Sequence, residues 1–119
     1  MKSFITSFKN ALRGFVTAYR EEPNLRTHFI VAVLILLLSA YLKITTFELF
    51  FVILAICLVI IAEVINSIFE RMLDMLKPGI NEYVKDMKDM MASVVVIAVV
   101  FAVVVGVVVF IPKLLMIVS

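Results

Sequence analysis

Apolar and polar positions alternate differently in four stretches of the chain. Over residues 2–20 they recur with a helical period. Phe4, Phe8, Ala11, Leu12, Phe15 and Tyr19 share one face, and Lys9, Arg13 and Arg20 share the opposite one. This pattern predicts an amphipathic helix over 2–21 that lies in the plane of a membrane surface. Glu22-Pro23-Asn24 interrupts it, because proline drives the preceding residue out of the α region. A second helix is expected from near Asn24, through the fourteen uncharged residues Phe29–Leu42. Lys43, Thr45 and Thr46 mark a turn. The next span starts near Phe47 and has no charge from Leu49 to Ala62. Polar residues enter at Glu63, and Lys77-Pro78-Gly79 ends the span. A polar segment, Asn81 to Asp89, leads into Met90–Ile111, which has 22 residues without a charge and is expected to close at Pro112 and Lys113. Transmembrane helices are therefore expected over about 25–43, 47–75 and 84–112. The valine-rich runs show no period-two alternation and no hairpin signals, which argues against strands. The fold class is an all-α membrane protein, with three transmembrane helices and an N-terminal amphipathic surface helix in one domain, 1–119.

Composition supports this reading. Of 119 residues, 65% are hydrophobic and the mean hydropathy is +1.21. Soluble domains are about 45–50% apolar. A chain this short builds no large core, so burial has to come from lipid and from further copies of the chain. The single Cys57 excludes a disulfide framework and reads as a small buried hydrophobe. A cleaved signal peptide is not expected, since the first 28 residues lack a continuous apolar core. Five cations (Lys2, Lys9, Arg13, Arg20, Arg26) precede the first span, and four (Arg71, Lys77, Lys85, Lys88) lie between the second and third. Only Lys43 and Lys113 fall on the other side. Nine against two puts the N-terminus and the long polar segment in the cytoplasm. A net charge of +2, with the basic residues pinned at a membrane, gives no expectation of nucleic-acid binding. The only glycines are Gly14, Gly79 and Gly106, so no phosphate-cradling glycine loop is present. His28 has no serine in a strand-turn-helix context, and Ser/His/Asp hydrolysis is unsupported.

Candidate chemistry lies in one stripe. Glu63, Asn66, Glu70 and Asp74 are spaced by 3, 4 and 4, which at about 100° per residue places them within a sector of roughly 80°. Such groups at a membrane boundary are costly unless they meet a metal, a cation or a polar substrate. Glu63 is the deepest. An ionised carboxylate is hard to keep there, which makes Glu63 a candidate general base or a structural partner for a neighbouring helix. Glu70, nearer the cytoplasm, suits Mg²⁺, which takes one or two protein oxygens plus phosphates and water. Asn66 can orient substrate or metal, and Asp74 can pack helices. Lys88 complements phosphate charge or anchors the helix at the interface. Glu21 and Glu22 read as solvated helix-end charge or as further metal oxygens. A lone three-helix unit is expected to leave the stripe facing lipid, so association should cover it. The alternative to an enzyme is a channel or proton-relay subunit. A channel, however, carries polar groups through the full membrane depth, and here they stop in the cytoplasmic half.

Glu63-Val-Ile-Asn66-Ser67-Ile-Phe-Glu70, then Asp74, then Lys88-Asp89-Met90, resembles the prokaryotic diacylglycerol kinase family. The resemblance covers nearly the whole chain. Gly14 and Glu22-x-Asn24-x-Arg26-x-His28 look most like the undecaprenol kinase branch. It implies an integral-membrane kinase domain over 1–119 that forms a homotrimer with active sites between subunits. The implied activity is transfer of the γ-phosphate of ATP, with Mg²⁺, to the hydroxyl of a membrane lipid, undecaprenol or diacylglycerol, at the cell membrane. By position, Glu63 matches the catalytic base and Asn66 an essential active-site amide. Glu22 and Glu70 match the metal and ATP ligands, and Lys88 and Asp89 the nucleotide-binding pair, with Lys88 on the phosphates. The chain departs from the family pattern at Ser3, Asn10, Gly79-Ile80-Asn81 and Met91, none of which belongs to the phosphoryl-transfer set.

Overall fold

A computed structural model of the protein describes residues 1–76 and 82–119 as four α-helices. The first, α1 (Lys2–Glu21), ends where proline forbids its continuation. Glu22 takes an extended conformation, φ −113° and ψ 102°, and Pro23 opens α2 (Pro23–Leu42). Proline suits that position because its missing N–H has no helical partner there. The corner is held by Arg26, whose Nη1 donates to the carbonyls of Arg20 at 2.5 Å and Tyr19 at 3.3 Å. Those are end-of-helix acceptors that α1 cannot satisfy by itself. Phe29 of α2 packs against Phe15 and Tyr19 of α1, with ring centroids 6.1 and 5.5 Å apart. The apolar face of α1 is open before that point, with Phe4 and Phe8 exposed, as expected of a helix that rests on a membrane surface.

At its far end α2 closes with Lys43 in the left-handed region, φ 52°, and the Ile44 N–H donates to the Ser39 carbonyl at 3.3 Å. Thr45 then caps α3 (Thr46–Leu76). The Glu48 N–H donates to Thr45 Oγ1 at 3.1 Å, and the Thr45 N–H donates to Glu48 Oε1 at 2.9 Å. This reciprocal capping box satisfies two orphan donors at once. The connection of three residues makes α2 and α3 antiparallel. α4 (Glu82–Val118) returns alongside α3, with Lys88 beside Asp74 at one end and Lys113 3.6 Å from Glu48 at the other. The ending expected at Lys77-Pro78-Gly79 lies outside the described residues.

The helices α2, α3 and α4 are each long and apolar enough to cross a membrane. Val52, Ala55, Val59 and Ala62 form a buried seam along α3, and Val105, Val109 and Phe110 of α4 pack on its first half. In lipid, water expulsion does not drive helices together, so small residues that permit close approach carry the packing.

Two expectations are corrected. Cys57 is exposed on the outside of the bundle rather than buried. An apolar neighbourhood does not imply burial when the surroundings are themselves apolar. Pro112 does not end α4, which continues to Val118. Proline removes one helical hydrogen bond and leaves those of the neighbouring turns, so the helix persists past it.

The turn between α2 and α3 yields a stability prediction. Thr45→Ala is expected to cost about 1 kcal/mol through the lost cap. Lys43→Gly should stabilise by about 1 kcal/mol, because glycine relieves the left-handed backbone. Thermal unfolding in detergent reads both, and unchanged midpoints would show that this turn contributes nothing.

Candidate functional site at one end of the bundle

α3 has 31 residues, about 46 Å at 1.5 Å per residue. That exceeds a hydrocarbon thickness of about 30 Å, so its last turns reach beyond the apolar layer and carry the polar stripe. The antiparallel order brings the start of α2, the end of α3 and the start of α4 to this same end. Every sequence-derived site residue therefore belongs to one end of the molecule.

Glu63 is buried, at 6% exposure. Its Oε1 lies 3.2 Å from Nε2 of His28 on α2, and the Ser67 hydroxyl donates to the Glu63 carbonyl at 3.0 Å. One turn on, the Asn66 side-chain N–H donates to Glu70 Oε1 at the long distance of 3.5 Å. Asn66 Oδ1 is buried and has no hydrogen-bond partner among the described residues. A buried acceptor without a donor is costly, and in native proteins it commonly marks a place where water or substrate completes the bonding. Glu70 is exposed. Arg71, the next residue, donates to Glu22 at 2.7 and 3.2 Å and to Glu21 at 3.0 Å. It thereby draws the α1–α2 corner to the turn of α3 that carries Glu70. Lys88 of α4 donates to Asp74 at 2.8 Å, and its neighbour Asp89 is exposed. Both of these ion pairs are solvent-accessible and contribute little to stability by themselves. They set which helix ends meet.

The structure thus brings together Glu63 with His28, Asn66 with Glu70, and Lys88 with Asp74, while Glu22 is engaged by Arg71. One expectation fails at the deep end of the stripe. A single chain does not leave Glu63 facing lipid, because α2 already covers it with His28. Two partners escaped the sequence reading. In the sequence Arg71 reads only as an orientation charge. His28 belongs there to a motif that assigns it no contact. It is nevertheless the only histidine, and it enters the apolar run of α2 at the end where Glu63 enters that of α3; matched depth was the available signal. As for a metal, no group of three or more His, Cys, Asp or Glu stands ready among the described residues. The carboxylate oxygens of Glu22 and Glu70 are hard donors of the kind Mg²⁺ accepts together with phosphate and water rather than in a closed protein cage.

Fold and site define a small helical membrane protein with a polar, largely acidic cluster at one end of its spanning helices. The sequence pattern of the prokaryotic diacylglycerol kinases matches residues 9–110, and the chain belongs to that family. Curated proteins, compared one by one, give no match. Membership makes this a membrane lipid kinase, and a kinase of this kind takes its phosphoryl group from ATP.

Asn66 offers a test that separates function from stability. Asn66→Leu removes a buried unsatisfied acceptor, so it should preserve or raise the thermal midpoint in detergent while abolishing turnover. A large fall in the midpoint would show instead that the amide is structural.

Proposed function

We propose that the whole chain, 1–119, acts as one kinase unit that transfers the γ-phosphate of ATP to the hydroxyl of a membrane lipid, undecaprenol in preference to diacylglycerol. The observation that carries this reading is the burial of Glu63 at the deep end of a polar stripe, in a chain of the lipid kinase family. A base for a lipid alcohol has to sit where the headgroup meets the hydrocarbon, and Glu63 directly follows the apolar run of α3. The preference for undecaprenol rests on the resemblance of Glu22-x-Asn24-x-Arg26-x-His28 to that branch.

Phosphoryl transfer is largely positioning and charge neutralisation. Glu63 accepts the proton of the lipid alcohol. Asn66 orients the reacting groups through the amide oxygen that has no partner among the described residues. Lys88 exchanges Asp74 for the phosphates, and Asp89 beside it completes the nucleotide contacts. Glu22 and Glu70 would hold the Mg²⁺ that accompanies ATP, which would supply neutralisation of phosphate charge. For that, Glu22 has to leave Arg71, a surface pair that is easily exchanged. The lipid keeps its tails in the bilayer and presents only its hydroxyl, so membrane and site together supply proximity. The excess of cations at the site end supports a cytoplasmic-facing site at the cell membrane. The resemblance supports a homotrimer.

Purified protein in mixed micelles with labelled ATP and Mg²⁺, offered diacylglycerol, undecaprenol and ceramide in parallel, tests class and substrate together. Labelled undecaprenyl phosphate is the expected main product, and no labelled lipid from any acceptor would reject the reading. Glu63→Gln should lower kcat by about 10²- to 10⁴-fold, the usual contribution of a general base, with little change in KM for ATP. Near-normal turnover would remove Glu63 from that role. Glu70→Ala should raise the Mg²⁺ concentration needed for half-maximal rate, and an unchanged metal dependence would count against Glu70 as a ligand.

A further inference from the structure

We infer that His28 is the positioning residue for the base: it fixes the Glu63 carboxylate through Oε1 and leaves Oε2 to meet the lipid alcohol. The inference rests on the reading of Glu63 as base. The contact is short, 3.2 Å from Nε2 to Oε1, and it joins two helices. An ionised carboxylate only accepts hydrogen bonds, so Nε2 has to carry the proton and donate. A hydrogen bond to an ionised group is stronger than a neutral one, and it holds the carboxylate in one orientation.

The imidazole is offered from a fixed platform. Phe29, its neighbour on α2, is packed against Phe15 and Tyr19. Arg26, two residues before it, ties the start of α2 to the last carbonyls of α1. On the other side, the Ser67 hydroxyl donates to the carbonyl of Glu63 itself. A side chain held from such a platform is what a supporting contact has to provide. His28 also borders a cavity of about 430 Å³ between α2, α3 and α4, whose wall includes Val31, Ala32 and Val59. The low polarity of that side strengthens the pair relative to the same contact in water.

The test is steady-state kinetics on the full-length protein in mixed micelles. His28→Leu should lower kcat by about 10- to 100-fold, the fold-change expected from losing one charge-assisted hydrogen bond at the reacting group, with KM for ATP unchanged. His28→Gln, whose amide can still donate, should recover most of the rate. In a Glu63→Gln background, His28→Leu should add no further loss, because the two residues act as a unit. Wild-type kcat in His28→Leu beside an inactive Glu63→Gln would overturn this inference alone. So would losses that multiply in the double variant, or a lowered thermal midpoint with no rescue by glutamine, since either would mark His28 as merely structural. An active Glu63→Gln would overturn the assignment of the base and the inference together.

Discussion

The arrangement of the end that carries the polar stripe turns on the cost of placing a carboxylate where hydrocarbon begins. Glu63 is separated from the start of α3 by an apolar run and is almost fully buried. Left alone there, it would be neutralised or would destabilise the helix. The chain meets that cost with one side chain, His28, from the helix that pairs with α3. For His28 to be at the right depth, α2 has to begin at the right place, and that is set by Pro23 and by the Arg26 clamp on the end of α1. The surface helix, the proline corner and the buried pair are therefore one construction.

Polar groups are segregated by end. One end gathers Glu21, Glu22, His28, Glu63, Asn66, Glu70, Arg71, Asp74 and Lys88, and the other has the Thr45–Glu48 cap and the Lys113–Glu48 contact. Between them the helices meet largely through apolar side chains, alanine and valine prominent among them. Such a middle layer holds helices in register without specifying chemistry, whereas a polar end does both. The ion pairs there are exposed and exchangeable, a property that suits groups which, on the proposed function, change partners when a nucleotide binds. The Glu63–His28 contact is of a different kind, because its carboxylate is buried and its imidazole is only partly exposed.

The hydropathy pattern made the helical elements legible, since 3.6-residue periodicity and uncharged runs of membrane length leave few alternatives. The stripe from Glu63 to Asp74 was legible too, because polar residues are expensive in that setting and stand out. Misreadings arose where the surroundings change the usual rules. Cys57 is exposed because an apolar exterior removes the penalty for facing outward, and α4 runs through Pro112 because proline forfeits only one helical hydrogen bond.

Pairing between helices was beyond one-dimensional reading. The sequence alone determined which segments are helical, which of them can span a membrane, and which face of α3 is polar, because these depend on periodicity and on transfer from water, both local properties. Only the tertiary structure decided that His28 meets Glu63, that Arg71 takes Glu22 and Glu21, and that Lys88 rests on Asp74. Those contacts depend on helix rotation and relative depth, which are set jointly by the proline corner, the capped turn and small-residue packing, and no single segment encodes them.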